Sequence, residues 1–160
     1  MADIVSDGFT RVAWITTIAN IAAPTTTELN AGILLHDVMT SDGFNGFQPD
    51  TAAIPTAKFS AIFDTSQPGR ISFNGTMLRF CKQTPTDTIF STLFPKGVAG
   101  FAVVRRSLAA ATAWASTQPI EVYPSVTGQG RKLDGAPNTL ERWESPLMFS
   151  ASPNLQAAVA

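Results

Sequence analysis

Residues 24–44 read PTTTELNAGILLHDVMTSDGF and contain several local folding signals in close succession. Thr25 followed by Glu28 has the form of a capping box, in which each side chain satisfies a free amide at a helix start. Gly32 is the residue type that most easily adopts the left-handed conformation that ends a helix. The apolar run ILLHDVM after it resembles a strand, and Asp42-Gly43 is a turn signal. The stretch therefore predicts a short helical corner followed by a strand, with no catalytic motif.

The composition of the chain outside this stretch is poor in charge. The 160 residues include 14% charged and 44% hydrophobic residues, whereas about 25% charged residues is usual for soluble domains. Two explanations are open: part of the surface is covered by partners, or a Thr/Ser/Asn-rich surface keeps the chain soluble. The net charge is −1 without a run of basic residues. Sequence-specific or tight DNA binding therefore has little electrostatic support.

Targeting signals are also lacking in the sequence. No stretch approaches the ~20 apolar residues that span a bilayer, so no membrane anchor is expected. The N-terminal residues MADIVSDG lack the basic and apolar regions of a secretion signal. The single cysteine, Cys81, cannot form an internal disulfide. We therefore expect synthesis in a reducing cytoplasm.

Alternating apolar residues predict strands along most of the chain. We expect strands at residues 10–18, 33–39, 98–106, 118–126 and 140–151, with apolar side chains on both faces of the first. Thr84, Pro85 and Asp87 predict the start of a helix of about three turns that ends at Pro95. Residues 107–116 are ambiguous, 127–138 are expected to be a flexible loop, and 152–160 form a mildly apolar tail. The pattern predicts one domain over residues 1–160, mainly β, as a β-sandwich or open barrel with one flanking helix.

The clearest hairpin signal lies at residues 58–80. Phe59, Ala61 and Phe63 alternate with polar residues before Gln67-Pro68-Gly69, and Ile71 and Phe73 alternate with polar residues after it. Opposed residues of an antiparallel pair share a face, so Phe63 is expected to lie opposite Phe73.

Residues 42–57, DGFNGFQPDTAAIPTA, are rich in Gly, Pro, Asn and Asp and predict a long irregular loop. Such loops are usually functional or disordered. Phe44, Phe47 and Ile54 would be unusual in a solvated loop. They either fold back onto their own domain or dock on another copy of the chain, and we favour docking.

No constellation of residues indicates an enzyme, a metal site or a cofactor. His36 is the only histidine, and in a strand it would point away from the face of Asp37. The sequence lacks a G-x-S-x-G elbow, and GQGRK at residues 128–132 lacks the spacing of a P-loop. Arg105 and Arg106 are adjacent in a strand, so they would point to opposite faces and pair with carboxylates within or between subunits.

Three segments carry a resemblance to a known family. The first is PTTTELNAG at residues 24–32, followed by the apolar run and the Asp-Gly turn. The second is FPKGVAGFAVVR at residues 94–105, and the third is IEVYP at residues 120–124. In this order, over most of the chain, they resemble the major tail (tail tube) proteins of long-tailed siphophages.

This resemblance implies a structural virion protein without enzymatic activity or cofactor. Members assemble into hexameric rings that stack into a hollow tube, through which DNA passes during ejection without specific binding. A hairpin from each subunit joins its neighbours and closes a barrel around the lumen, which tends to be acidic. The implied partners are further copies of the chain, a tape-measure protein and tail terminator or tip proteins. The implied location is the virion tail, after synthesis in the bacterial host cytoplasm.

Site residues follow from combining the resemblance with the strand pattern. The hairpin at residues 58–80 is expected to line the lumen while Phe59, Phe63, Ile71 and Phe73 pack into the sandwich. The lumen-facing candidates are then Ser60, Asp64, Ser72 and Asn74. Candidates for subunit or ring interfaces are Phe44, Phe47, Ile54, Arg105, Arg106 and Leu155. The alternative is a β-sandwich binding module, carbohydrate-binding or adhesin-like, which would need exposed aromatic residues on one concave surface.

Overall fold

The structure, a computed structural model, describes residues 6–160. The described chain contains eleven strands and two helices. The strands are β1 (Arg11–Ile15), β2 (Ile33–Leu34), β3 (Met39–Asn45), β4 (Asp50–Pro55), β5 (Ser66–Ser72), β6 (Met77–Cys81), β7 (Ala99–Arg105), β8 (Pro119–Thr127), β9 (Arg131–Lys132), β10 (Arg142–Phe149) and β11 (Asn154–Ala158). The helices are α1 (Thr26–Asn30) and α2 (Thr88–Leu93). The expectation of a mainly β fold is confirmed, although two short helices are present instead of one.

Nine of the strands form one curled half-barrel sheet: seven follow the order β2-β1-β7-β8-β10-β6-β3, while β11 pairs with β8 and β9 pairs with β10. β10 belongs to both halves of it, because residues 147–149 pair with β8 and residues 142–146 pair with β6. We call β2, β1, β7, β8 and β11 the first half-sheet. We call β9, the beginning of β10, β6 and β3 the second half-sheet. Among the described strands, β4 and β5 pair only with each other and form a separate hairpin.

The central strands of the first half-sheet, β1, β7 and β8, are mostly buried on both faces. Trp14, on β1, packs in an aromatic core between the half-sheets, together with α2. On the opposite face, Ile15 packs in a second cluster with Leu29 of α1 and with Trp114. The last residues of the chain complete that cluster, because Val159 is only 2% exposed. The apolar character of both faces of β1 is therefore explained by coverage within the chain.

The predicted capping box at the start of α1 is confirmed. The Thr25 hydroxyl accepts a hydrogen bond from the Glu28 amide at 3.2 Å, and the Glu28 carboxylate accepts one from the Thr25 amide at 2.8 Å. The expected role of Gly32 is corrected, because the helix ends at Ala31 in a right-handed conformation. A side chain at Gly32 would instead collide with Ile15 and with the Trp14 carbonyl. Gly32 is therefore needed for the close approach of the chain to β1.

α2 is shorter than expected and begins later. Asp87, not Thr84, is its N-cap, and the Asp87 carboxylate accepts hydrogen bonds from the amides of Phe90 and Gln83 at 2.8 and 3.0 Å. Burial raises the pKa of Asp87, but these bonds and Lys82 outweigh that effect and leave the pKa below its usual value. Asp is a stronger N-cap than Thr, which accounts for the shift of the helix start.

The region around the hairpin departs most from expectation. Residues 42–57 contain the end of β3 and all of β4, so they are not an irregular loop. β5 begins at Ser66, before the expected turn, and pairs with β4 in a register that places Ala53 opposite Pro68. Phe63 lies outside both strands and does not face Phe73. The alternation at residues 59–63 misled because these residues are exposed on both sides, where no core fixes the register.

Smaller differences concern the remaining segments. The expected 33–39 strand is interrupted: Ile33–Leu34 form β2 and Met39 begins β3, because the chain turns between them. Residues 127–138 include β9, which pairs with β10. The tail at 152–160 contains β11, which adds to the edge of β8. Residues 107–116 are turns and irregular structure.

Candidate assembly surfaces

The β4–β5 hairpin is the most exposed element of the described chain. Every residue of β4 is exposed, and β5 is exposed except at Gly69. The loop that joins the strands carries Phe59 and Ile62 fully in solvent and Phe63 at 76% exposure. Packing of Phe59, Phe63 and Ile71 into the sandwich, as expected from the sequence, is not observed. We call residues 56–65 the hairpin tip.

Two phenylalanines anchor the base of the hairpin. Phe47, just before β4, is 4% exposed and lies 4.0 Å from the Phe44 ring and 5.0 Å from the Tyr123 ring, between centroids. Phe73, just after β5, packs edge-on against Phe149 at 4.7 Å. The structure thus places Phe47 in the core of its own subunit, which corrects its assignment to an interface. Phe44 is half-buried, and Ile54 remains exposed.

An open apolar groove of about 750 Å³ lies beside the base of the hairpin. The hairpin, β10 and the β10–β11 connection form its walls, with lining residues that include Thr51, Ile71, Phe73, Leu147, Met148 and Leu155. Met148 is 60% exposed and Leu155 is 39% exposed, so the groove opens to solvent. Leu155, an interface candidate from the sequence, therefore lies on an accessible apolar surface. Ile62 and Met148 were not singled out from the sequence.

Arg105 and Arg11 form a buried clamp instead of an interface. Arg105 is fully buried and donates hydrogen bonds to the carbonyls of Ala109, Thr112 and Ala113 and to the Gln118 side chain. Arg11 donates to the carbonyls of Ala110 and Thr112, and both guanidinium groups lie about 5 Å from the centre of the Trp114 ring. Burial lowers the pKa of both arginines. The expectation that Arg105 pairs with a carboxylate is corrected, since its hydrogen bonds go to backbone carbonyls and to the Gln118 side-chain oxygen.

Arg106 points to the other side of β7, as the alternation predicts, and is exposed. It pairs with Glu121 at 2.9 Å, and its guanidinium lies 5.4 Å from the centre of the Phe44 ring. Glu121 also accepts a hydrogen bond from the Tyr123 hydroxyl at 2.8 Å. Burial, together with this bond, raises the pKa of Tyr123. The expected pairing of Arg106 with a carboxylate is therefore made within one subunit.

The outer face of the second half-sheet carries an ionic network. Both oxygens of the Glu144 carboxylate, which is 1% exposed, are occupied: Oε2 by Arg79 Nε at 2.8 Å and Oε1 by Arg131 Nε. Arg79 also reaches Asp42 at 2.6 Å. Burial raises the pKa of Glu144, but the two arginines outweigh that effect and lower it below its usual value. The network was not predicted from the sequence, although the alternation of charged and apolar residues at the start of β10 is a signal for it.

The lumen-facing candidates occupy two parts of the hairpin region. Ser60 and Asp64 lie in the tip, Ser72 ends β5 and Asn74 follows it, and all four are exposed. The sequence predicted that these four residues lie on one face of a two-stranded hairpin. They do not, because Ser60 and Asp64 lie in the tip, which is not part of either strand.

The described residues hold no other arrangement that suggests chemistry. His36 lies in a turn and its Nε2 is 3.6 Å from Asp37 Oδ1, which corrects the expectation that the two side chains point apart. Within residues 6–160 there is no group of three or more His, Cys, Asp or Glu residues placed to hold a metal ion. In the same part of the chain, no helix has the length and apolar character to cross a membrane.

Comparison with known proteins identifies the family. The sequence matches the family described as phage tail tube protein over residues 1–160. The chain belongs to the phage tail tube protein family. It is therefore a structural component of a virion tail, and membership implies a non-enzymatic role. No curated protein matches the sequence significantly.

A solved structure supports the fold of this tail tube protein. A chain in the cryo-EM structure of the anti-feeding prophage (AFP) baseplate, 6-fold symmetrised, matches it with a TM-score of 0.64 at 7% identity, over 98% of each chain. The alternative of a binding module finds no support in the tryptophans, because Trp14, Trp114 and Trp143 are all buried. The exposed phenylalanines Phe59 and Phe63 lie on a protruding tip, not on a concave surface.

Proposed function

We propose that this tail tube protein assembles into hexameric rings that stack into a tube, through which viral DNA is ejected into the host. The observation that carries the proposal is the β4–β5 hairpin with its exposed apolar tip. An isolated two-stranded hairpin is only marginally stable in water, and an exposed apolar cluster marks an interaction site. The ring number is the one that the family resemblance implies, and the structural neighbour comes from an assembly that is itself 6-fold symmetrised.

A second copy of the chain is the occupant that best fits the tip. The tip and the apolar groove lie at opposite ends of the same hairpin. Strands of six and seven residues separate them, which is a distance of about 20 Å. The tip therefore cannot fill the groove of its own subunit while the hairpin is extended. A contact between different patches on two copies is heterologous, and repetition of such a contact gives rings or filaments.

The remaining contacts follow from the same assembly. Ile54, Arg106 and Leu155 are exposed and are proposed to contact neighbouring subunits, whereas Phe47 and Arg105 stabilise their own subunit. We retain Ser60, Asp64, Ser72 and Asn74 as channel-facing residues. A helical reconstruction of the tube tests this assignment, and Asp64 on the outer surface of the tube would overturn it.

The tube implies partners beyond further copies of the chain. A tape-measure protein and tail terminator or tip proteins are proposed to bind the tube interior and ends. Synthesis is proposed to occur in the host cytoplasm before incorporation into the virion tail. The free thiol of Cys81 is compatible with a reducing compartment.

Replacement of the apolar tip tests the assembly proposal. The double variant Phe59→Ser/Phe63→Ser should remain folded, because both rings are exposed, but should no longer form the rings or tubes that negative-stain microscopy shows for the unmodified protein. Met148→Glu should also prevent assembly, because it places a charge in the groove that receives the tip.

Leu140→Ser is the matched control, since Leu140 is 71% exposed but lies away from the hairpin and the groove. It should leave assembly unchanged. Tubes that persist in both the tip variant and the Met148 variant would contradict the contact, and an unmodified protein that stays monomeric at high concentration would contradict the proposed function.

A further inference from the structure

The outer face of the second half-sheet is the side of β3, β6, β9 and β10 that points away from the aromatic core. On β10 the side chains alternate, so Arg142 and Glu144 lie on the face opposite the buried Trp143. On β6, Arg79 lies between the core residues Leu78 and Phe80 and points outward. We call this surface the polar face, and its charged residues are Asp42, Arg79, Arg131, Arg142 and Glu144.

Glu144 is the centre of this face. Its carboxylate pairs with the guanidinium of Arg79 from β6 and with that of Arg131 from β9. Glu144 is only 1% exposed, although it lies on the outer side of the sheet. Asp42 on β3 takes a second nitrogen of Arg79. Two carboxylates thereby occupy donors of two arginines that come from separate strands.

The arginines themselves are close to solvent. The Arg131 side chain is 67% exposed and that of Arg79 is 27% exposed. Arginine is well suited to phosphate because its planar donors bind two oxygens at once. Contacts of this kind dominate the binding of proteins to the DNA backbone. What keeps these donors from a phosphate is that they already point at Glu144 and Asp42.

We infer that Glu144, assisted by Asp42, masks the arginines of the polar face and so prevents this surface from retaining DNA. Three arginines against two carboxylates leave only one unmatched positive charge on the face. Loss of Glu144 frees the guanidinium of Arg131 and the Nε donor of Arg79. Nη1 of Arg79 stays paired with Asp42, and both arginines remain on the same face as Arg142. The biological meaning of the mask rests on the proposed role as a DNA conduit and requires that the polar face borders the channel beside the channel-facing residues of the hairpin, because the wall of a conduit must release the phosphate backbone. The mask itself can be tested on the unassembled protein.

A purely structural role for Glu144 makes a different prediction. If the network serves only to hold β6, β9 and β10 together, its removal lowers stability and leaves DNA affinity unchanged. If it masks the arginines, its removal raises DNA affinity and makes that affinity more dependent on salt, whatever happens to stability. The affinity and its salt dependence therefore separate the two roles.

The experiment measures binding of a short duplex DNA of arbitrary sequence to the purified full chain by fluorescence anisotropy. Glu144→Gln keeps the size of the side chain and one acceptor oxygen while it removes the charge. Each additional phosphate contact should steepen the slope of log affinity against log salt concentration by about one. With one contact from each of two arginines, the gain in DNA affinity over the unmodified chain should fall roughly tenfold between about 50 and 200 mM salt. In the double variant Glu144→Gln/Arg131→Gln, part of this gain in DNA affinity should be lost, because one of the two arginines is missing.

Two further variants keep the result interpretable. Asp42→Asn frees one donor of Arg79, so it should raise DNA affinity by a smaller factor than Glu144→Gln does. The Asp42 side chain is 55% exposed, so this substitution does not disturb a buried group. Asp50→Asn changes the net charge by the same amount on the exposed hairpin and should leave affinity near that of the unmodified chain. If Glu144→Gln and Asp42→Asn are folded by circular dichroism yet bind DNA no better than Asp50→Asn, the mask is refuted. Tube formation by the unmodified protein would be unaffected by that outcome.

Discussion

At the scale of single residues, Phe47 and Phe59 show how differently the same side chain is used in this protein. Phe47 is enclosed by Phe44, Tyr123 and Phe149, whereas Phe59 is fully exposed. Truncation of a buried phenylalanine removes its transfer free energy and leaves a cavity. We expect Phe47→Ala to lower the free energy of unfolding by about 3 kcal/mol, and Phe59→Ala to change it by less than about 0.5 kcal/mol.

Urea denaturation of the two variants under conditions that keep the protein monomeric measures this difference. Phe47→Ala and Phe59→Ala remove the same atoms, so each is the control for the other. Equal losses of stability would mean that Phe47 is not a core residue. A stable, folded Phe47→Ala that fails to assemble would restore the interface role that the sequence suggested.

The sequence pattern separated these two residues, but in the opposite sense to the structure. Phe59 stands in the alternating pattern of residues 59–63, which predicted that it packs into the sandwich. Phe47 stands in a segment rich in Gly, Pro, Asn and Asp, which predicted an exposed contact on another copy. Phe47 is buried because β3 and the hairpin bring it over Tyr123, a residue 76 positions away. Contacts of such sequence separation leave no trace in the local pattern. Arg105 was misassigned for a different reason: three of its four hydrogen-bond acceptors are backbone carbonyls, which every residue possesses, so no residue type in the sequence marks them as its partners.

The lowered pKa of Glu144 predicts a pH-dependent stability. A carboxylate whose pKa is lower in the folded state than in the unfolded state stabilises the fold at every pH above its unfolded pKa of about 4.3. That stabilisation is lost as the pH falls through the folded pKa, where protonation breaks the pairs with Arg79 and Arg131. The difference in unfolding free energy between the unmodified protein and Glu144→Gln should therefore be largest near neutral pH and shrink toward about pH 3.

Chemical denaturation at a series of pH values checks this expectation. Glu141→Gln is the control, since it removes a neighbouring carboxylate that is exposed and has no ion pair among the described residues. The difference in unfolding free energy between Glu144→Gln and the unmodified protein could instead be the same at pH 3 and pH 7. In that case the charge of Glu144 does not contribute to stability.

At the scale of elements, the sequence predicted best where a local chemical signal decides the structure. The capping box of α1 is confirmed because its two hydrogen bonds join residues three positions apart. β7, β8 and β10 are confirmed within two residues of their bounds because each has a buried face that imposes alternation. The length of α2 was overestimated, since Thr84 and Asp87 are both acceptable caps and only the folded chain selects between them.

The hairpin illustrates the opposite case. β4 reads DTAAIP and β5 reads SQPGRIS, and each contains a proline that would be excluded from the centre of a sheet. A two-stranded sheet consists only of edges, where proline is tolerated, so the usual exclusion does not apply. Its faces are also free of any core of the same subunit. Under the proposed assembly, the polar and apolar pattern of this element serves contacts with neighbouring subunits, which the sequence of one subunit does not reveal.

At the scale of the whole molecule, the protein consists of a firmly packed sheet and a hairpin that is tied to it only at its base. The central strands of the first half-sheet are covered on both faces by their own chain, and both ends of the described chain pair within it or close to it. Within residues 6–160, the hairpin has no neighbouring strand beyond its own pair. Its free energy of local opening should therefore be far below that of the sheet.

Hydrogen exchange of the monomer and the assembled tube tests this division of the molecule. In the monomer, amides of β4 and β5 should exchange fast while those of β7 and β8 remain protected, because backbone bonds of a solvated hairpin open without global unfolding. In the tube, β4 and β5 should gain protection by at least about tenfold, since each 1.4 kcal/mol of added contact free energy slows exchange by that factor. β7 and β8 are the internal control, because they are already buried in one subunit. Equal protection of the hairpin in monomer and tube would mean that its exposed side chains gain no contact on assembly, and the assembly surface would then have to lie elsewhere on the fold.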